Sequence, residues 1–112
     1  MECIFCSIIA KTLPATFLYE DEQMVVFPDI HPKARIHLLV VPKIHVGSLA
    51  QTTESQEPLL GAMLARAREM AKAQGIAERG YKIVINTGAE GGQVIGHLHL
   101  HLLGGEPIRT MV

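Results

Sequence analysis

The run His97-Leu98-His99-Leu100-His101-Leu102-Leu103 places three of the chain's six histidines within five positions. Strict alternation of polar and apolar residues is the period of a half-buried β-strand. On such a strand His97, His99 and His101 project from one face, neighbours about 7 Å apart, while Leu98, Leu100 and Leu102 face a core on the other. A single histidine in a strand is usually an ordinary core or surface residue. Three in register repel one another once protonated, which destabilises the strand unless the rings are used. An imidazole, with an unperturbed pKa near 6.5, serves as nucleophile, proton carrier or metal ligand near neutral pH. Two chemistries fit the spacing. One is a metal site, because His-x-His sets two ring nitrogens side by side as tetrahedral zinc requires. The other is phosphoryl transfer through a histidine nucleophile.

Other elements can be placed around this strand. Ile4 to Ala10 reads as a short first helix stopped near Pro14. Thr16 to Glu20 and Met24 to Phe27 read as a hairpin turning at Asp21-Glu22-Gln23, and His37 to Val41 as a third strand ended by Pro42. From about Gln56 to Gln74, the residues Leu59, Leu60, Met63, Leu64, Ala67, Met70 and Ala71 recur at helical spacing, with Gly75 where a helix would stop. Tyr81 to Asn86 is a fourth strand and His97 to Leu103 the fifth. The pattern predicts an α+β fold, a five-stranded antiparallel sheet with two helices on one side. A length of 112 residues allows one core and little more, so a single domain over residues 1–112 is expected. Ten basic and 11 acidic residues are interleaved for a formal charge of −1, which leaves no basic face for nucleic acid. No charged leader precedes a long apolar run, and no window approaches membrane-spanning length. A cytoplasmic protein with neither nucleic-acid nor membrane partner is expected.

The histidine run is preceded by Asn86-Thr87-Gly88-Ala89-Glu90-Gly91-Gly92-Gln93-Val94-Ile95-Gly96 and followed by Gly104-Gly105. Gly91-Gly92 can adopt conformations closed to other residues, and successive N–H groups in such a turn form an anion-binding concavity. Alone, Gly-Gly is only a turn; directly before a row of histidines it is a candidate phosphate cradle. No Gly-rich loop ending in Lys-Ser/Thr exists, so ATPase-type transfer is unsupported. Both cysteines, Cys3 and Cys6, form one Cys-x-x-Cys. A structural disulfide is disfavoured in a chain with no sign of export, and the strand-then-helix setting of a thioredoxin-like redox pair is not seen. Zinc would need two further ligands; idle reduced thiols are the alternative.

Together with Phe27-Pro28-Asp29-Ile30 and Pro42-Lys43-Ile44-His45, these motifs make the chain from about Cys3 to Gly105 resemble the histidine triad (HIT) superfamily, nearest its small Hint-type nucleotide-binding branch. The resemblance implies that His99 is the nucleophile, its Nε2 attacking the α-phosphorus of a nucleoside monophosphate derivative and its Nδ1–H bonded to a main-chain carbonyl. His101 would donate to the phosphate oxygens, and His37 would be a fourth, supporting histidine. Water would then release the nucleoside monophosphate, with no cofactor for catalysis. Asp29 matches the carboxylate that binds both ribose hydroxyls and Asn86 an asparagine near the phosphate, while Gly92 and Gln93 belong to the loop before the triad. Ile4, Phe5, Ile8, Leu13, Phe27, Ile30 and Leu39 match the apolar wall around the base. Each has a plainer alternative: Asp29 as a turn residue after Pro28, Asn86 as a strand-end cap, the apolar residues as core. Many bacterial relatives complete a zinc site with the histidine ending Pro-Lys-x-His and the first of the triad. Here Cys3, Cys6, His45 and His97 would form a closed Cys2His2 shell, structural rather than catalytic.

The implied activity is cleavage of the P–N bond of purine nucleoside 5′-phosphoramidates, with AMP or GMP and their conjugates as ligands. The implied assembly is a homodimer whose sheets join into a continuous ten-stranded sheet through the long helix and fourth strand. Alternatives are a dinucleoside polyphosphate hydrolase, against which compact length and Gly104-Gly105 argue, and a nucleotidylyltransferase, where glutamine would usually replace His101. A third is a zinc-stabilised nucleotide-binding or interaction module with negligible catalysis. Two departures stand out. Val94 occupies a position that in the family often carries a polar residue for the leaving group, so either His101 takes that load or turnover falls, by about 1–3 kcal/mol or roughly tenfold to hundredfold for one lost contact. The tail Glu106 to Val112 lacks the tryptophan that many Hint-type proteins carry.

Overall fold

A computed structural model of the chain describes residues 3–109, so Thr110 to Val112 of the tail lie outside the described residues. In chain order the elements are α1 (Ile4–Ile9), β1 (Tyr19–Glu20), β2 (Met24–Pro28), β3 (Ile36–Pro42), α2 (Glu57–Ala73), β4 (Tyr81–Val84) and β5 (Leu100–Gly104). The five strands form one sheet in the order β1-β2-β3-β5-β4, and every neighbouring pair is antiparallel.

Local chemistry sets the element ends. Between β1 and β2, Asp21 Oδ1 accepts the N–H groups of Gln23 and Met24 at 2.7 and 2.9 Å, and the Tyr19 hydroxyl donates to Oδ2 at 2.7 Å. This Asx turn closes the hairpin. Ahead of α2 lies a capping box of Thr53 and Gln56. The helix ends at Gly75, whose φ is +74°. The Gly75 N–H reaches Lys72 O at 3.1 Å and the Ile76 N–H reaches Ala71 O at 3.0 Å, the two bonds of a Schellman C-cap.

The alternation in the sheet is real on both faces. Leu98, Leu100 and Leu102 pack with Met24, Val26, Leu38 and Val40 against Leu59, Met63, Ala67 and Met70 of α2. The opposite face carries Val25, Phe27, Leu39 and Val41, covered by Phe5 of α1. The helices therefore flank the sheet on both sides, not on one as the sequence pattern predicts. The burial of Met24–Phe27 and of His37–Pro42 at every position has this cause, since only a strand covered on both faces is apolar without alternation. Strand boundaries also shift. The first strand keeps only Tyr19–Glu20 of Thr16–Glu20, and the fourth ends at Val84. The fifth begins at Leu100, because the His97 N–H turns to Ile95 O and the Leu98 N–H to Val46 O instead of joining the ladder with β3. Among the described residues no helix is long and apolar enough to cross a membrane.

Candidate active site and metal centre

The three histidines of the triplet leave the chain on one side of the sheet, but they divide between two clusters. His99 and His101 stay together, ring centroids 5.0 Å apart. His97 joins a group formed by the start of α1 and the loop after β3, with its ring centroid 4.9 Å from that of His45.

His99 is buried at 7% exposure. Its Nδ1 lies 2.7 Å from the main-chain oxygen of His97. A carbonyl only accepts, so Nδ1 carries the proton and Nε2 keeps its lone pair. The ring is held edge-on by Phe5 at a centroid distance of 5.1 Å.

A second chain of bonds fixes His101. The register pairs Leu39 with His101 and His37 with Leu103, which sets His37 and His101 diagonally on one face of adjacent strands. The Lys33 main-chain N–H donates to His37 Nδ1 at 3.0 Å, so the proton of the neutral ring sits on Nε2. His37 Nε2 lies 2.9 Å from His101 Nδ1 and 3.4 Å from Asp29 Oδ2. The shorter contact makes His101 Nδ1 the acceptor and leaves the His101 proton on Nε2. Asp29, His37 and His101 also meet the spacing of a metal-binding group, but the amide of Lys33 already occupies His37 Nδ1 and the His37–His101 bond uses the two facing nitrogens. Burial foremost, then the neighbouring rings of His99 and His37, pushes the His101 pKa down to about 4. Burial also lowers that of His37, against the pull of Asp29. Both rings are neutral at pH 7. Of this pair, His99 thus presents an unprotonated Nε2 and His101 a proton on Nε2.

The nucleoside-directed residues are distributed less simply. Asp29 is half-buried, with Oδ1 accepting the His31 N–H at 2.8 Å as a turn aspartate would and Oδ2 facing His37. Phe5, Phe27 and Leu39 lie in the apolar cluster under α1, with Ile8 packed against it. Ile4 and Leu13 are about half exposed, and Ile30 is 82% exposed. Ile8 and Leu13 also line a groove of about 260 Å³ with Lys11, Pro14, Ala15 and Phe17.

The loop before the triad is tied to itself. Asn86 Nδ2 donates to Gly91 O at 2.8 Å. Gln93 accepts the Gly88 N–H through Oε1 and donates from Nε2 to Gly47 O and Ile95 O at 2.7 and 2.9 Å. The Gly92 and Gln93 N–H groups bond to Ala89 O and Gly88 O. Of the Gly91-Gly92 pair, the Gly92 amide is thus already bonded within the turn. Val94 stands 93% exposed beside them. The Lys33 amide and the Pro42 carbonyl are functional groups that carry no side-chain signature in the sequence.

The metal cluster is more compact. His97 is fully buried, and its Nε2 lies 2.9 Å from Pro42 O. That donation leaves the Nδ1 lone pair pointing at Cys3 Sγ (3.3 Å), Cys6 Sγ (3.6 Å) and His45 Nδ1 (3.1 Å). Cys6 Sγ and His45 Nδ1 are 3.3 Å apart, and all four donor atoms lie within 4.8 Å of one another. A zinc tetrahedron with ordinary Zn–N and Zn–S bonds has edges of about 3.3–3.8 Å. The donor set fits such an ion in kind and in spacing, and the His97–Pro42 bond is the outer support that metal-binding histidines use. Burial, then Cys3, pushes the Cys6 thiol up; a bound cation reverses this by favouring the thiolate.

Comparison with known proteins agrees with this geometry. The family model described as scavenger mRNA decapping enzyme C-term binding matches residues 2–108. The chain is 51% identical over 102 residues to protein HitA of Neisseria gonorrhoeae, covering 91% of this chain and 94% of that one. It is 39% identical over 111 residues to the purine nucleoside phosphoramidase of Escherichia coli, covering 99% and 93%. A HIT family hydrolase from Legionella pneumophila superposes with a TM-score of 0.93 at 42% identity, covering 95% of each chain. A zinc-bound histidine triad family protein from Mycobacterium smegmatis superposes with a TM-score of 0.80 at 34% identity, covering 93% and 75%. Fold, histidine arrangement and relatives agree: the chain belongs to the histidine triad family.

Proposed function

We propose that the protein is a hydrolase that cleaves the P–N bond of purine nucleoside 5′-phosphoramidates by way of a nucleotidyl-histidine on His99. The observation that carries this reading is the pair of opposed protonation states. His99 offers a lone pair on Nε2 because Nδ1–H is bonded to His97 O, and His101 offers a proton on Nε2 because Nδ1 accepts from His37. In the first step His99 Nε2 bonds to the α-phosphorus while His101 Nε2–H hydrogen-bonds a phosphate oxygen, the P–N bond breaks, and the amine leaves with a proton drawn from solvent water. In the second, water adds its hydroxyl to phosphorus and its other proton returns to solvent, and the His99–phosphorus bond breaks to release the nucleoside monophosphate. A neutral imidazole is nucleophilic at pH 7 without a separate strong base. His101 also stabilises the charge that grows on the phosphate oxygens.

Asp29 would bind the ribose hydroxyls, and the Phe5, Ile8, Phe27 and Leu39 side of α1 would bind the base. The preference for AMP or GMP follows the phosphoramidase relative. Cys3, Cys6, His45 and His97 would hold a structural zinc, which takes no part in the two steps. We place the protein in the cytoplasm, where such thiols stay reduced, and as a dimer through β4 and α2.

The test is AMP release from adenosine 5′-phosphoramidate by the parent protein and by His99→Ala, with single-turnover trapping of the nucleotidyl-protein. Turnover in the parent, a trapped adduct, and loss of both in the variant are expected. AMP binding without turnover in the parent would sink the hydrolase reading in favour of a binding module.

A further inference from the structure

His97 belongs to two sites at once. Its ring closes the Cys3–Cys6–His45 cluster, and its main-chain oxygen is the acceptor that sets the tautomer of His99. A second path joins the same two places. Cys3 is the N-cap of α1, its Sγ accepting the Cys6 N–H at 3.4 Å. Between these cysteines in the chain, Phe5 packs edge-on against both His97 and His99, at centroid distances of 5.8 and 5.1 Å. A helix of six residues is far below the length that is stable alone. Its position therefore depends on what anchors it, namely Phe5 in the apolar cluster and the two thiols at its start.

We propose that Cys3, Cys6 and His45 are positioning residues for the transfer centre: with a divalent metal bound, they lock His97 and α1 and thereby hold His99 in the Nδ1–H tautomer. The inference rests on His99 being the nucleophile, and it goes beyond a metal that merely pins the N-terminal helix. The carbonyl of His97 and the edge of Phe5 both meet the His99 ring, the first borne by a member of the cluster and the second by a residue between its two cysteines. His45 is exposed, so the cluster opens to solvent. Metal loss can then reach the nucleophile without unfolding the larger core around α2, on the other face of the sheet.

The experiment uses protein labelled with ¹⁵N-histidine, loaded with one equivalent of Zn²⁺ and then stripped with a chelator. Long-range ¹H–¹⁵N spectra read the His99 tautomer, circular dichroism reads the fold, and single-turnover nucleotidylation is followed separately from KM. Loaded protein should show His99 as one Nδ1–H tautomer. Stripped, folded protein should show a mixture, with the nucleotidylation rate down about tenfold to hundredfold, the range for lost outer support at metal sites. An unchanged tautomer with a rate within about twofold would overturn the proposal, as would failure to bind Zn²⁺ stoichiometrically.

If stripping unfolds the chain, His45→Ala, which retains three donors, is examined in its place, and His45→Cys must restore the loaded spectrum. A rescue that fails counts against the coupling. The spectrum needs no substrate. A tautomer that follows the metal in a protein that turns over no phosphoramidate would sustain the coupling while removing the hydrolase reading.

Discussion

Neutral histidines are the expensive feature of this site, and His101 shows why. Its ring is held near a pKa of about 4 by burial and by the rings of His99 and His37. An unfolded histidine titrates near 6.5. As pH falls through that value the unfolded chain takes up a proton that the folded chain refuses until about pH 4. Stability from this residue is therefore complete above about pH 6.5, declines as pH falls, and levels off near 4. At about 1.4 kcal/mol per pKa unit the loss has an upper limit of about 3.5 kcal/mol, less whatever residual solvent contact screens. His101→Asn should flatten the slope between pH 6.5 and 4.5 by about 1–3 kcal/mol, read from thermal melts across that range. Parallel curves for parent and variant would locate the acid sensitivity elsewhere, with His37 next in line because burial lowers its pKa too.

At the scale of the element, the loop before the triad shows that adjacent glycines do different things. A Cβ on Gly91 would sit 2.2 Å from Thr87 O, a main-chain atom that cannot yield without moving the loop. Gly92 has room, its nearest neighbour being Asn86 Nδ2 at 3.7 Å, but its φ of +79° is unfavourable for any side chain. Gly92→Ala should therefore cost about 1–2 kcal/mol of stability with little change in turnover. Gly91→Ala should shift Asn86 and Gln93 together and lower turnover about tenfold or more, since small misplacements near reacting atoms cost up to about a hundredfold. Equal losses from the two substitutions would mean that the loop's shape is not what matters. The same loop marks how much could be read beforehand. Alternation placed the histidines opposite Leu98, Leu100 and Leu102, and the helical period found α2 within a residue at each end. The unbroken apolar run Met24–Phe27 signals a strand covered on both faces, whereas hairpins and two helices by themselves suggest a single helical layer. The pairing of His37 with His101 depends on the β3–β5 register across more than sixty residues. The tautomers depend on main-chain groups of Lys33 and His97 that no residue type announces.

For the whole molecule, the sheet separates two tasks. One face packs α2 and most of the large core; the other carries α1, the aromatic cluster and both histidine groups. The edges of the sheet are unequal. β1 is two residues long, whereas β4 presents Tyr81, Lys82, Ile83 and Val84, half-buried at every position. Leu60, Tyr81, Ile83 and Ile85 all lie at the fringe of the large core, packed against it without being enclosed. One turn beyond Leu60 on the same side of α2, Leu64 is 48% exposed. An apolar edge strand beside an apolar helical stripe invites pairing with another chain unless something covers it, and a second copy would cover both at once. Light scattering coupled to size exclusion should therefore give twice the chain mass for the parent. Leu64→Glu should move it toward one chain mass with the single-chain fold intact, because an exposed leucine contributes little within its own chain. A parent that elutes at one chain mass across micromolar concentrations would refute the dimer and leave β4 as an ordinary edge guarded by Lys82.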